Sequence, residues 1–201
     1  MLCLNIVFNY CTIALQLSVA QETCRIGIND ERSFAAASSV AGRFYVNEAS
    51  PASCDGIVTS WRVCYYGSQS MGNNDRVTNF GVYRRSGDGG QLIQLSGSLS
   101  TVTLGRTSLM SGFNCLNISI TNGDLSVQVN DVVGACVVDP TGSSKELNIV
   151  GEASGHSLSM TDGAGCGSNQ IPSLIELEAT QLSTIDSRIL HIYANIGKLC
   201  A

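Results

Sequence analysis

The chain is short of charge. Only 13% of its 201 residues are Asp, Glu, Lys or Arg, against about a quarter in typical soluble domains. Lysine occurs only at Lys145 and Lys198, Arg84 and Arg85 are the only adjacent basic pair, and the formal net charge is −5. A nucleic-acid partner needs a basic face to displace phosphate counterions. The composition therefore argues against nucleic-acid binding, and we interpret the arginine pair as a solvated strand end.

The first twenty residues contain no charged side chain at all. Asn, Thr, Gln and Ser interrupt this apolar stretch, so it falls short of the roughly 20 apolar residues of a membrane span. Ser18 and Ala20 form a small-x-small cleavage pattern, which predicts a signal peptide over residues 1–20. We therefore expect residues 21–201 to form a single secreted, extracellular domain without a membrane span.

The sequence is also poor in catalytic residues. His156 and His191 are its only histidines, and neither belongs to a recognisable catalytic motif, so we expect His191 to be a hydrogen-bonded strand residue. Glu176 and Glu178 stand two apart in a predicted strand and are read as a solvent-facing stripe, because glycosidase carboxylates normally come from separate segments. No reaction is indicated.

Metal ligands are sparse as well. The chain has no Cys-x-x-Cys motif, which argues against zinc. Calcium requires six to eight oxygen ligands, and the loop residues that could supply them are Asn73, Asn74, Asp75, Asp88, Asp139 and Asp162. Asn and Asp are common in turns for backbone reasons alone, so we expect no cofactor and keep calcium as a minor alternative.

The chain is rich in cysteine, by contrast, with nine residues of this type. Cys3 and Cys11 lie in the predicted leader, which leaves seven in the mature chain, an odd number. In an oxidising compartment these are expected to form disulfides, each stabilising by roughly 2–4 kcal/mol. The disulfide candidates are Cys24, Cys54, Cys64, Cys115, Cys136 and Cys166, and Cys200 is the candidate for the odd thiol.

Two pairings are preferred because they join segments close in the chain. Cys54 is expected to pair with Cys64 or Cys24, and Cys115 with Cys136. Connectivity cannot be derived from spacing alone.

Strand periodicity dominates the rest of the sequence. Strands are predicted at 42–47, 57–66, 77–85, 91–95, 98–104, 132–138, 147–150, 174–179 and 188–196, with a hairpin over 118–129 that turns at Asn122-Gly123-Asp124. The pattern predicts an all-β fold, a two-sheet antiparallel sandwich of jelly-roll type braced by disulfides. The best helix signal is Glu31 to Ala41, and Ala153 to Pro172 is predicted to be a long loop.

Alternation also predicts which side chains face the core. In the strand at 57–66, the core face should carry Ile57, Thr59, Trp61, Val63 and Tyr65. After the predicted turn at 122–124, Leu125, Val127 and Val129 should share one face.

The surface carries two further signals. Asn117-Ile118-Ser119 is an N-glycosylation sequon, so Asn117 is the predicted glycosylation site. A shallow face lined with tyrosines would favour glycan or protein binding, because aromatic rings supply contact area at low entropy cost. The candidates for such a face are Tyr65, Tyr66, Tyr83 and Tyr193.

Three stretches together resemble a known kind of module. They are Cys54–Tyr66, Asn130–Cys136 and Leu190–Ile196. The combination resembles N-terminal β-sandwich ectodomain modules of uncharacterised invertebrate secreted or cell-surface proteins, over roughly residues 50–196. The resemblance implies an extracellular location and a β-sandwich architecture, but no activity.

The sequence is compatible with three functions. The first is a secreted or ectodomain binding and adhesion module that recognises a protein, a matrix component or a glycan, without catalysis. The second is a carbohydrate-active or other hydrolytic enzyme on a jelly-roll scaffold. The third is a structural extracellular subunit cross-linked through Cys200, as in a disulfide-linked dimer.

Overall fold

The chain folds into two antiparallel β-sheets, as seen in a computed structural model. The structure describes residues 24–28, 42–67, 76–88, 90–95, 98, 100–104, 111–120, 125–138, 148–162, 176–178 and 182–197. Within these ranges there is no helix, so the all-β prediction is confirmed. The predicted helix at Glu31–Ala41 lies outside the described residues.

The smaller sheet has five strands in the order β1-β13-β3-β7, and β8 also pairs with β3. Their bounds are Cys24–Ile26 for β1, Gly56–Gly67 for β3, Gly112–Ser119 for β7, Ser126–Val127 for β8 and Ile192–Gly197 for β13. We call this the five-strand sheet.

The larger sheet has eight strands in the order β11-β5-β4-β9-β2-β10-β12, and β6 also pairs with β4. Their bounds are Arg43–Asn47 for β2, Arg76–Arg85 for β4, Gln91–Gln94 for β5, Ser100–Leu104 for β6, Val132–Val138 for β9, Val150–Asp162 for β10, Glu176–Glu178 for β11 and Ser183–Leu190 for β12. The strand predicted at 132–138 is β9, which lies between β4 and β2.

The main hydrophobic core lies between the two sheets. Trp61 of β3 meets Phe80 of β4 edge to face, with ring centroids 5.0 Å apart, an arrangement that aromatic quadrupoles favour. Val63 and Val82 are fully buried in the same cluster. The two sheets therefore pack face to face as a sandwich.

A bulge in β3 changes which of its residues face the core. Trp61, Val63 and Tyr65 are buried as predicted, but Thr59 is exposed and Val58 is buried in place of Ile57. The register with β13 shifts here, since Asn195 pairs with Ser60 and the next residue pairs with Val58. One extra residue inverts the alternation beyond it, so the prediction was wrong for Ile57 and Thr59.

The predicted hairpin at 118–129 is also wrong. Both β7 and β8 pair with β3, one after the other along the same side, so they do not pair with each other. Val129 is 49% exposed rather than facing the core with Leu125 and Val127. The predicted turn at 122–124 lies outside the described residues. A separate turn follows β8, where Asp131 N–H donates to Gln128 O and Asn130 has a φ of 75°, a conformation that Asn tolerates better than most residues.

Two further boundaries differ from prediction. The predicted loop at Ala153–Pro172 is a strand as far as Asp162, and residues 163–172 lie outside the described residues. The strand has an irregularity between Glu152 and Ser157, where its register with β12 shifts. The strand predicted at 188–196 is two strands, because the chain passes from the larger sheet to the smaller one at His191. Gly and Ser suggested a loop, whereas pairing with β2 and β12 makes the segment a strand.

Two disulfides are described. Cys24 pairs with Cys54, which was one of the two predicted alternatives for Cys54. Cys64 pairs with Cys115, so the Cys54–Cys64 and Cys115–Cys136 pairings were wrong. Strands β3 and β7 place Cys64 and Cys115 directly opposite each other, a juxtaposition set by the sheet rather than by closeness in sequence.

The remaining cysteines are less fully described. Cys136 is disulfide-bonded, and its partner lies outside the described residues, as do Cys166 and Cys200. The structure contains no helix, within the ranges it describes, that could span a membrane.

The larger sheet has a second apolar cluster on its far side. Phe44 and Tyr83 pack edge to face, with centroids 4.9 Å apart, and both are almost fully buried. Their rings lie over Gly134 in the neighbouring strand β9, where a Cβ would come within 2.5 Å of Phe44 Cζ and 2.8 Å of Tyr83 Cε2. The absence of a side chain at Gly134 makes room for the ring pair.

Replacing Gly134 with alanine should therefore destabilise the fold by about 1–3 kcal/mol, the usual cost of overpacking. Gly87→Ala is the matched control, because a Cβ there meets nothing within 4 Å, and its effect should stay within about 0.5 kcal/mol. Chemical denaturation of both variants measures the difference. Equal denaturation midpoints for the two variants would contradict the prediction, because they would show that the ring pair can move to accommodate a methyl group.

Candidate functional site

The candidate site is the outer face of the five-strand sheet. This face comprises the strand residues that point away from the main core, as judged from strand alternation and register. They are Arg25, Ser60, Arg62, Cys64, Tyr66, Phe113, Cys115, Asn117, Ser119, Tyr193 and Asn195, with His191 at the entry to β13. We call this set the outer face.

An aromatic cluster occupies one end of the outer face. Tyr66 and Phe113 lie directly opposite each other on β3 and β7, with ring centroids 5.1 Å apart, and both are partly exposed. His191 packs edge-on to Phe113 at 5.1 Å. Such a cluster presents rigid aromatic area beside solvent.

His191 is positioned by a close approach from the larger sheet. It is buried, and a Cβ at Gly151 would fall 2.3 Å from its Nε2, so glycine is needed there. The backbone joins the two sheets at this point, since His191 N–H donates to Ile149 O and His191 O accepts from Cys64 N–H. His191 therefore forms part of the corner at which the chain passes from the larger sheet to the five-strand sheet.

The middle of the outer face is rigid. The Cys64–Cys115 disulfide lies one pair along from Tyr66 and Phe113. At the next pair, Arg62 Nη1 donates to Asn117 Oδ1 at 2.7 Å. A covalent bridge and a hydrogen bond thus hold β3 to β7 at the two outward-facing pairs that follow the exposed rings.

The charge on this sheet is of one sign. Its five strands contain Arg25 and Arg62 and no Asp or Glu, although the whole chain has a net charge of −5. Both arginines are only partly buried. The outer face therefore combines partly exposed aromatic rings with positive charge.

The predicted tyrosines are divided between this face and the interior. Tyr65 is fully buried in the main core and Tyr83 is 2% exposed in the second cluster, so neither lines a binding face. Tyr66 and Tyr193 do lie on the outer face, with Tyr193 largely buried. The prediction from sequence did not include Phe113, Arg62 and Arg25. The register of their strands with the neighbouring strands would have placed them on the outer face.

Burial raises the pKa of the Tyr83 phenol above its ordinary value. In the unfolded chain this phenol ionises near pH 10, whereas in the folded protein it keeps its proton. The folded state then binds more protons than the unfolded state, so the free energy of unfolding should fall as the pH rises above about 10.

The expected contribution of Tyr83 is a decline of up to about 1.4 kcal/mol per pH unit. Unfolding curves between neutral and strongly alkaline pH, compared for wild type and Tyr83→Phe, isolate it from other titrations. The variant should decline less steeply. Parallel curves would mean that the folded phenol ionises as freely as the unfolded one.

The adjacent arginines outside this sheet are already engaged. Arg84 donates from Nε and Nη2 to the two carboxylate oxygens of buried Asp131, at 2.7 and 2.8 Å. Arg85 donates to Glu48. Arg84 therefore stabilises the turn at Asp131, and Arg85 stabilises the strand end at Glu48.

One of the calcium candidates, Asp88, supports a turn of the backbone. Asp88 accepts hydrogen bonds from the Ser86 hydroxyl and the Gly90 N–H, which lower the pKa of its carboxyl. It thereby closes the β4–β5 turn. No group of three or more His, Cys, Asp or Glu that could hold a metal occurs in the described part of the chain.

The other candidates are scattered or undescribed. Asp162 ends β10, and the structure does not describe Asn73, Asn74, Asp75 and Asp139. His156 lies in the irregular part of β10. Glu176 and Glu178 pair with Ile93 and Gln91 on strand β11 at the sheet edge.

Comparison of the chain with protein-family models, with curated proteins and with solved structures found no match. The resemblance to ectodomain modules therefore stays a prediction.

Proposed function

We propose that the protein is a secreted binding module that recognises an extracellular protein or glycan through the outer face. The observation that supports this most is the composition of that face. It joins the partly exposed rings of Tyr66 and Phe113 to the positive charge of Arg62, on a sheet fixed by a disulfide. Tyr and Arg are among the residues that dominate binding energy at interfaces.

Export is part of the proposal. The uncharged leader over residues 1–20 supports it, and so do the Cys24–Cys54 and Cys64–Cys115 disulfides, which persist in oxidising compartments. The scaffold we propose is a jelly-roll sandwich, supported by antiparallel pairing throughout the described sheets. We assign it no reaction and no cofactor.

Rigidity explains why such a face could bind well. Binding costs less when the contact residues are already held in place, because less side-chain freedom is lost. The bridge between Cys64 and Cys115 and the Arg62–Asn117 hydrogen bond hold these side chains on paired strands. The face therefore presents its rings without needing to reorganise.

A binding screen tests this function. Oxidised, secreted protein is applied to a glycan array and to a panel of extracellular domains, together with an Arg62→Ser/Tyr66→Ser variant. Every ligand of the wild type should bind the variant at least about thirtyfold more weakly, as expected for one hot spot of 2 kcal/mol.

Arg188→Ser is the matched control, because Arg188 lies on β12 of the larger sheet and pairs with Glu152. It should bind like the wild type. Thermal unfolding of each variant checks that its fold is intact. A ligand that binds the double variant and the wild type equally, or a screen without any ligand, would contradict the proposal.

A further inference from the structure

The predicted glycosylation site lies within the outer face itself. Asn117 is directly opposite Arg62 across the β3–β7 ladder, and both Asn117 and Ser119 of the sequon are exposed. A glycan attached here shares the surface that we propose binds a ligand. The position of its first sugar therefore matters for recognition.

Arg62 fixes the orientation of the Asn117 carboxamide. Arg62 Nη1 donates a hydrogen bond to Asn117 Oδ1 at 2.7 Å. Because a guanidinium group has donors and no acceptor, the oxygen of the carboxamide and not its nitrogen must face Arg62. The carboxamide is thus held with Oδ1 toward β3.

The chemistry of attachment places the first sugar beside Arg62. The donor is an oligosaccharide carried on a diphosphate in the secretory pathway. A bond forms between Asn117 Nδ2 and the anomeric carbon of the sugar, the bond from that carbon to the diphosphate breaks, and Nδ2 loses one proton. The product is a secondary amide, which strongly prefers the trans form. In a trans amide the substituent on nitrogen lies on the same side as the carbonyl oxygen, so the sugar lies next to Oδ1 and hence next to Arg62.

The aromatic end of the outer face is further from the sugar. Phe113 stands four residues before Asn117 on β7, which is about 14 Å at roughly 3.4 Å per residue. Tyr66 lies opposite Phe113. The first sugar therefore covers the guanidinium of Arg62 and leaves the two rings open.

We propose that an N-glycan on Asn117 covers Arg62, so that ligands of the glycosylated protein contact the ring end of the outer face, at Tyr66 and Phe113. This inference rests on the proposed function, since it concerns recognition by the same face. The glycan lowers affinity by withholding the Arg62 guanidinium from the ligand. Protein without the sugar presents the rings and the charge together.

Chemical labelling of Arg62 tests the coverage without any ligand. Wild type, Ser119→Ala and Ser119→Thr are made in a secretory eukaryotic host. Ser119→Ala removes the sequon but keeps Asn117 and its bond to Arg62, whereas Ser119→Thr preserves the sequon. Peptide mass analysis should show sugar on Asn117 in the wild type and Ser119→Thr only. Phenylglyoxal should modify Arg62 severalfold more slowly in these two proteins than in Ser119→Ala.

Internal controls show whether the protection is local. Arg188 on β12 of the larger sheet should be modified at the same rate in all three proteins. Hydroxyl-radical labelling of Tyr66 and Phe113 should also be equal in all three. Trimming the wild-type glycan to its first sugar should leave Arg62 slow to react, because that sugar lies beside the guanidinium.

The glycan array and the panel of extracellular domains measure the effect on binding. Array or panel members that bind the wild type should bind Ser119→Ala about tenfold more tightly, the equivalent of one hydrogen bond to a charged group. Ser119→Thr should bind like the wild type.

Four results would overturn the proposal. They are a wild type without sugar at Asn117, an Arg62 that reacts as fast in glycosylated or trimmed protein as in Ser119→Ala, rings that are protected together with Arg62, or equal affinities of wild type and Ser119→Ala. A screen without any ligand contradicts the proposed function instead, and the labelling of Arg62 and the rings then decides whether the glycan covers Arg62 alone.

Discussion

Replacing Trp61 with alanine should lower the free energy of unfolding by about 3–5 kcal/mol, the range for removing a large buried aromatic side chain. Trp61 is 1% exposed at the centre of the sandwich and packs against Phe80 across the gap between the sheets. A domain is typically stable by only 5–15 kcal/mol. This single substitution should therefore remove a large part of the free energy of unfolding.

Circular dichroism during denaturant unfolding is the appropriate measurement, because Trp61 is the only tryptophan and fluorescence is lost with it. Trp61→Phe is the control. The indole N–H is buried without a hydrogen-bond acceptor among the described residues, so Trp61→Phe loses packing contacts but no hydrogen bond. Its free energy of unfolding should therefore fall clearly less than that of Trp61→Ala. Equal losses for the two variants would contradict the edge-to-face contact with Phe80.

Removing the Cys64–Cys115 disulfide should cost about 4 kcal/mol. The two residues are 51 apart in sequence, and the chain-entropy relation gives that value for a loop of this length. The expected cause is greater freedom of the unfolded chain. The double variant Cys64→Ala/Cys115→Ala avoids leaving a free thiol.

Cys24→Ala/Cys54→Ala serves as the comparison, since its loop of 30 residues should contribute slightly less, about 3.6 kcal/mol. Thermal and denaturant unfolding under oxidising conditions measure both. A double variant at 64 and 115 with wild-type stability would show that β7 needs no covalent tie to β3.

Local sequence patterns were enough to predict the class of fold. Alternation in the segment around Trp61 identified β3, because burial of one face imposes period two on a strand. The continuous apolar run at Val132–Val138 identified β9, because a strand buried on both faces reads as such a run. They could not locate the bulge at Thr59. A bulge depends on the register with β13, which the sequence of one strand does not contain.

The prediction of which distant segments pair with each other was wrong. The hairpin at 118–129 and the Cys115–Cys136 bridge both assumed that neighbours in sequence are neighbours in space. Instead β7 and β8 both lie along β3, and Cys115 meets Cys64 across the sheet. Disulfide connectivity follows the topology, so it can be read only after the strand order is known.

The outer face could be predicted only in fragments. Tyr66 and Tyr193 were identified because aromatic residues are common at binding surfaces, but the same argument selected Tyr65 and Tyr83, which are buried. Exposure decides between them, and it depends on which side of each sheet meets the core. The contribution of Phe113 follows from its register opposite Tyr66.

The most direct test of the account is a disulfide map of the secreted protein, obtained by peptide mass analysis before and after reduction. Mature material should begin at Gln21, with linked peptides that join Cys24 to Cys54 and Cys64 to Cys115. Cys136 should also be bonded. Protein that retains Met1, or in which Cys64 and Cys115 react as free thiols in the native state, would contradict both the export and the oxidised sandwich.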